Sequence, residues 1–233
     1  MAELEISVDT LHGVEVAAVA DRIELCAALA EGGLTPSIGL VTAAVPLAGA
    51  AQVHVLVRPR PGGFAYGPGE LAVMRDDVRC SLDAGATGVV VGALTADGTL
   101  DQEATAGLVA AAGGAPVTFH RAFDQLPDLA KGLDELAELG VDRVLTSGGP
   151  ANVDVAVVAA LVATARLTVM ACGGVRAHNV RAVLAGTGAP AVHAAPRAPV
   201  GAGRGYAGIG VPAGFDRFDT DPDAVAQLRR LTR

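Results

Sequence analysis

Short β-rich runs alternate along this chain with longer stretches rich in Ala, Leu, Val and Glu. That alternation predicts repeated βα units around a parallel sheet. Eight strands are expected, beginning at Leu4, Arg22, Gln52, Gly88, Pro116, Asp142, Leu167 and Ala191. Helices are expected between them over 68–84, 102–112, 127–139, 152–164 and 177–184, with a last one from Pro222. Turns such as "DAGATG", "LGVD" and "AGTGAP" follow helices with a glycine able to take the positive φ of a C-cap. Eight units in 233 residues approach the roughly 250 typical of a (β/α)8 TIM barrel. An open doubly wound sheet is the structural alternative. No linker or shift in composition divides the chain, so residues 1–233 read as a single α/β domain. The stretch 195–220 after strand eight is too long for a plain connector and is expected to be an irregular lid or interface segment.

The polar positions inside the strands locate the chemistry. Strands of an all-parallel sheet are covered on both faces and normally read as continuous apolar runs. Two strands here alternate instead. Leu4, Ile6 and Val8 oppose Glu5, Ser7 and Asp9; Ile23 and Leu25 oppose Arg22, Glu24 and Cys26. In a barrel the apolar faces meet the helices, which sends the polar faces into the lumen, where charges must pair or keep water. Strand three puts His54, Leu56 and Arg58 on one face, and strand five puts Thr118 and His120 opposite Val117 and Phe119.

Composition then narrows the partners. Hydrophobic residues make up 51% of the chain and charged residues 18%, which suits a globule with a large core. With 17 Lys plus Arg against 25 Asp plus Glu, the formal charge is −8, the wrong sign for a phosphate-backbone binder, so no nucleic-acid partner is expected. Apolar runs such as "AAVPLAGAAQVHVLV" are broken within fewer than the roughly 20 residues a membrane span needs. The start "MAELEISVDT" is acidic and alternating rather than basic and then apolar, so a cytoplasmic, membrane-free protein is expected. Cys26, Cys80 and Cys172 are odd in number and far apart, which reads as reduced thiols without CxxC spacing. Cys80, within a predicted helix, is expected to be a small buried hydrophobe.

Barrel active sites gather at the C-terminal ends of strands. Glu24, His120 and Asp9 are the candidate catalytic residues there, with Glu24 and His120 as the proton-transfer pair. Arg58 and Arg60 are the candidate grips on an anion. "TSGG" after strand six and "ACGGV" after strand seven place paired glycines before helices, where free N–H groups favour an anion. Ser147, Gly173, Gly174, His193 and Arg197 are therefore added as candidate ligand-binding residues. Glu5 and Arg22 lie lower in their strands and are expected to form an internal ion pair. A Schiff-base or pyridoxal mechanism is set aside, because the single lysine, Lys131, falls in the helix after strand five. The five histidines are isolated in sequence, and neither a GxSxG elbow nor a Walker loop is present. Cys26 is the candidate metal ligand, since thiolate suits Cu(I).

Taken together, "DRIELC" with "EGGLTPSIG", "VLVRPRPGGFAY", "GALTADG", "PVTFHRAFD", "DRVLTSGG" and "MACGGV" resemble the CutC family. The segments occur in order at the ends of six predicted strands. The resemblance implies a TIM barrel, a role in copper homeostasis with Cu(I) as ligand, and a homodimer. It places Cys26 on a family cysteine, whereas the cysteine of the family's first strand is Ser7 here, and Ala195 and Pro196 depart from the family's strand-eight segment. Two classes of function therefore stand: a copper-handling protein as the leading reading, and as the alternative a barrel enzyme acting on a small anionic molecule by acid–base chemistry.

Overall fold

The computed structural model describes residues 1–200 and 218–233. Its strands are β1 (Glu3–Val8), β2 (Arg22–Leu25), β3 (Gln52–Leu56), β4 (Gly88–Val91), β5 (Val117–Phe119), β6 (Arg143–Thr146), β7 (Thr168–Ala171) and β8 (Ala191–Ala194). They close into one parallel barrel in sequential order, with β1 hydrogen-bonded to β8 through Glu5↔His193 and to β2 through Glu5↔Arg22. The helices are α1 (Leu11–Ala17), α2 (Ile38–Leu47), α3 (Pro68–Asp83), α4 (Gln102–Ala111), α5 (Leu129–Glu138), α6 (Val155–Thr164), α7 (Val180–Thr187) and α8 (Pro222–Thr232). The closed barrel decides against the open sheet.

Helix starts follow short polar side chains that take the first free backbone N–H groups. Asp101, Asp128, Asp154 and Asp221 cap α4, α5, α6 and α8 in this way. These caps explain why α5 and α6 begin two and three residues later than the pattern predicts: Asp128 and Asp154 hold the cap position, and residues before them belong to loops. Helices α1 and α2 were not among those expected from periodicity. The first is short with a buried Gly13, and the second contains Pro46.

Two outer clusters hold the barrel to its helices. Leu4, Ile6, Val8, Ile23, Leu25, Val53 and Val55 pack with Val14, Ala17, Val41 and Ala44. Across the barrel, Val89, Val117, Phe119, Val144 and Val169 pack with Met74, Leu108, Leu136 and Val158. The opposite strand faces form the lumen, which is part apolar, with Cys26, Leu56 and Val90 in one patch and Leu145, Met170, Cys172 and Ala191 in another. The rest of it is polar and buried.

Two sequence readings are corrected here. Cys80 lies on α3 as expected but is exposed rather than buried, since it falls on the face turned from the barrel. The segment 195–220 is not irregular throughout, because its ends pair as an antiparallel two-stranded sheet of β9 (Arg197–Pro199) and β10 (Phe218–Thr220). The body of that segment, 201–217, lies outside the described residues, so the lid or interface expected there has no structural account.

Candidate active site

The alternating polar positions of β1 and β2 meet in the lumen. Glu5 is fully buried and lies between two partners, the Arg22 guanidinium and His193, whose Nδ1 is 2.6 Å from Glu5 Oε1. Arg22 also donates from Nη2 to Thr118 Oγ1 at 2.5 Å, bracing β2 against β5. Burial alone would raise the Glu5 pKa, but these two cations hold it well below the usual carboxylate range. His193 is raised in turn, its burial outweighed by the hydrogen bond to Glu5 and by the nearby Glu24. At the lower rim Arg143 pairs with Glu3 at 2.8 Å.

Glu24 follows Arg22 by two positions, which puts it on the same face nearer the C-terminal end of β2. It is 6% exposed. Its carboxylate accepts from a weak donor, Cys26 Sγ at 3.5 Å from Oε2, and is also acted on by Ser7 and by the charge of His193. Cys26 Sγ in turn lies 3.5 Å from Ser7 Oγ. No arginine, lysine or histidine forms an ion pair with Glu24 among the described residues. Desolvation accordingly pushes its pKa up.

His120 caps the 3-10 turn Arg121–Gln125 that follows β5, its Nδ1 accepting from Ala122 N at 3.1 Å. It is 5% exposed, and its Nε2 has no partner among the described residues. The ring lies 4.8 Å from that of Phe64. Burial and the charge of Arg58 pull its pKa down to about 3. The structure does not join His120 to Glu24 by a hydrogen bond. Glu24 groups with Ser7 and Cys26, His120 with Phe64 and the turn after β5.

The arginines divide. Arg58 Nη1 donates to Glu31 O at 3.0 Å and Gly33 O at 2.9 Å, and Nη2 to Gly62 O at 2.9 Å, so it staples the loops after β2 and β3. Its guanidinium lies over Phe64, 5.2 Å from the ring centroid, and its Nε is buried without a partner. Arg60 pairs with Glu70 and donates to Gly63 O and Ala65 O, outside the lumen on the loop leading to α3. Asp9 Oδ2 accepts from Leu29 N at 3.2 Å and from Arg197 Nη2 at 3.3 Å, which ties β1 to β9.

The two glycine turns are built differently. After β6, Asp124 fills the turn: its carboxylate accepts from Ser147 N and Oγ, Gly149 N, Thr146 Oγ1 and Arg121 Nε. After β7, Gly173 at φ +94° presses on the neighbouring loop. A Cβ there would stand 2.9 Å from Ala151 O and Val153 N, and one on Gly174 would strike Asn152 Oδ1.

Cys26 was the candidate metal ligand. Its surroundings are Ser7 and Glu24 oxygens rather than a second soft donor, and burial with the Glu24 charge raises its pKa well above the usual thiol range. Among the described residues no three His, Cys, Asp or Glu side chains form a group able to hold a metal. The donor set therefore does not fit Cu(I), which selects thiolate and thioether.

Sequence reasoning passed over three features. Asp124, the last residue of "PVTFHRAFD", carries no sign in the sequence that it is the internal anion of "TSGG". His54, fully buried with both ring nitrogens unpartnered among the described residues, seats its imidazole against Gly88, where a Cβ would lie 2.5 Å from Nδ1. His120 uses Gly92 in the same way. Glycines four apart on the inward face of β4 were the available signal, because a glycine in a strand often marks a close approach.

A closed parallel barrel with a buried carboxylate, two buried imidazoles and an arginine that forms no ion pair among the described residues belongs to the TIM-barrel class, with its polar groups where such barrels carry their sites. The comparison with known proteins places it further. The model of the CutC family matches residues 2–198, and the chain belongs to that family. It is 45% identical over 206 residues to the family protein CutC of Xanthomonas campestris pv. campestris (strain B100), covering 85% of each chain. It is 39% identical over 217 residues to the human protein named copper homeostasis protein cutC homolog, covering 91% of this chain and 79% of that one. A crystal structure of a CutC protein from Streptococcus agalactiae superposes with a TM-score of 0.80 at 34% identity, covering 83% of this chain and 98% of that one. No helix among the described residues is long and apolar enough to cross a membrane.

Proposed function

We propose that this CutC family barrel is an enzyme that moves a proton on a small anionic molecule, a phosphorylated or carboxylated metabolite, at the C-terminal end of its strands. The observation that carries the reading is Glu24. It is a buried carboxyl that forms no ion pair among the described residues, with only the charge of His193 acting on it from beyond ion-pair distance, one strand from a Glu5 that holds two partners. Burial raises its pKa above the usual glutamate value, the direction in which a carboxyl becomes a better proton acceptor. Arg58 supports the anionic substrate, because it is buried at 7% exposure and forms no ion pair with a carboxylate among the described residues. Asp9 would act from the rim, where Arg197 meets it, with His193 deeper in the lumen against Glu5. The test is a thermal-shift screen of small phosphorylated and carboxylated metabolites. A hit should be turned over by the native protein and bound, but not turned over, by Glu24→Gln. Turnover that survives this substitution refutes the role of Glu24.

The copper reading rests on a different observation, the name of the human relative together with the family cysteine at Cys26. In this chain Cys26 would be the thiolate and Glu24 its neighbour, a weak set for Cu(I). A part in copper homeostasis is therefore better supported through a reaction in the lumen than through a carrier site.

A further inference from the structure

We infer that His120 and Arg58 together form an oxyanion subsite on the Phe64 side of the lumen mouth, in which His120 acts as a fixed N–H donor and not as a base. This rests on the enzymatic reading above and assigns the substrate's charged end to two named atoms.

The turn after β5 fixes the tautomer of His120. The Ala122 backbone N–H can only donate, so the His120 Nδ1 it meets at 3.1 Å must present its lone pair. The proton of the neutral ring then sits on Nε2. An imidazolium would need protons on both nitrogens and would break the bond to Ala122. The 3-10 turn after β5 thereby holds His120 neutral, in agreement with its depressed pKa. A neutral imidazole whose N–H points at developing negative charge is an established catalytic device.

Nε2–H is buried and has no acceptor among the described residues. Leaving a buried donor unmet costs about 1–3 kcal/mol, so an acceptor is expected to occupy it. A second buried donor without a partner of good geometry, Arg58 Nε, belongs to a guanidinium that the Tyr66 phenol approaches and that rests on the same Phe64 ring that His120 touches. Arg58 is held in place by its carbonyl bonds to Glu31, Gly33 and Gly62, which satisfy hydrogen-bonding groups without neutralising its charge. One charged donor and one neutral donor beside an aromatic face suit a carboxylate, a phosphate or an enolate oxygen. In the same lumen His193 has the opposite arrangement. Its Nδ1 lies on the Glu5 carboxylate and must donate, so its neutral form keeps a lone pair on Nε2.

Nitrogen-detected NMR of the histidine rings in the full chain tests this, with resonances assigned through His120→Gln and His193→Gln. His120 should show the Nε2–H tautomer and hold it from pH 8 to pH 5, while His193 keeps its second proton to higher pH than an ordinary imidazole. Inorganic phosphate and acetate, each added at constant ionic strength, should move the His120 Nε2–H and Arg58 Nε–H signals. His120→Gln, which keeps an N–H donor, should retain phosphate binding within a few-fold, whereas His120→Phe should lose it about tenfold or more, the worth of one hydrogen bond to a charged group. A His120 that becomes imidazolium in that range, or that carries its proton on Nδ1, overturns the inference. So does a pair of donor signals that neither anion moves. Phosphate bound at these donors with no metabolite turned over leaves the subsite standing and refutes the enzymatic reading. Turnover dependent on Glu24 with both signals unmoved does the reverse.

Discussion

Asp124 occupies the glycine turn at Ser147 as an internal anion, its Oδ1 3.1 Å from Ser147 N and its Oδ2 2.9 Å from Ser147 Oγ. The backbone donors that a phosphate would seek after β6 are thus already used, and Ser147 serves the loop. Asp124→Ala should cost about 2–3 kcal/mol, as for a lost hydrogen bond to a charged group. Urea unfolding measures it, and sulfate should recover more stability in this variant than in the native protein. A midpoint unchanged from native would show that the turn stands without its carboxylate.

The turn after β7 gives a second case. Gly173 needs both its positive φ and the absence of a Cβ, given Ala151 O and Val153 N at 2.9 Å from where one would be. Gly173→Ala should lower stability by about 1–3 kcal/mol. If the turn also binds an anion, millimolar phosphate will raise the native melting temperature and not that of the variant. A variant as stable as the native protein would contradict the packing account.

Acid should destabilise the fold well above the carboxylate range. His54 and His120 both have pKa values drawn down to about 3 by burial and nearby arginines. Unfolded histidine titrates near 6.5, so from pH 6.5 down to about 3 the unfolded chain binds the protons and stability falls. At pH 5 the two together oppose folding by about 4 kcal/mol. Glu24 acts in the opposite sense: its raised pKa means stability is lost as pH rises from the ordinary glutamate value through the folded one. As a single group it offsets only part of the pair. His193, also raised, contributes stability below 6.5 that is lost as pH climbs through its folded value. Unfolding free energy measured between pH 6.5 and 5 should drop, and His120→Asn should roughly halve the slope that the two histidines impose. A flat profile would mean that both rings take up protons in the folded state.

The fold was legible because β1 and β2 announce their two faces and eight units fit one barrel. The lumen pair of Glu5 and Arg22 was legible for the same reason, since period-2 alternation fixes which side chains share a face. What sequence did not show is how a charge is spent. Arg58 and Arg60, two positions apart, look equivalent in "RPR", yet one is buried and unneutralised and the other is tied to Glu70 on a loop. That difference depends on the long-range return of Glu31, Gly33 and Gly62 carbonyls to Arg58. Glu24 and His120 likewise share a lumen without sharing a bond, because strand ends fix only height and face, and not which side chains converge.

Copper binding offers a separate check. With one thiol and oxygen neighbours at Cys26, the reduced protein should compete only weakly for Cu(I) against a chelator, and Cys26→Ala should abolish what binding there is. Tight binding that persists in this variant would place the metal elsewhere in the chain.

The most direct measurement is the thermal melt of Glu24→Gln. The substitution keeps shape and removes a buried carboxyl that forms no ion pair among the described residues, and functional groups held under such strain lower stability while serving turnover. The melting temperature should therefore equal or exceed that of the native protein. A carboxylate that holds the barrel together would behave oppositely, since truncating one side of a buried charged pair costs about 3–5 kcal/mol. A melt many degrees lower would contradict the catalytic reading of Glu24.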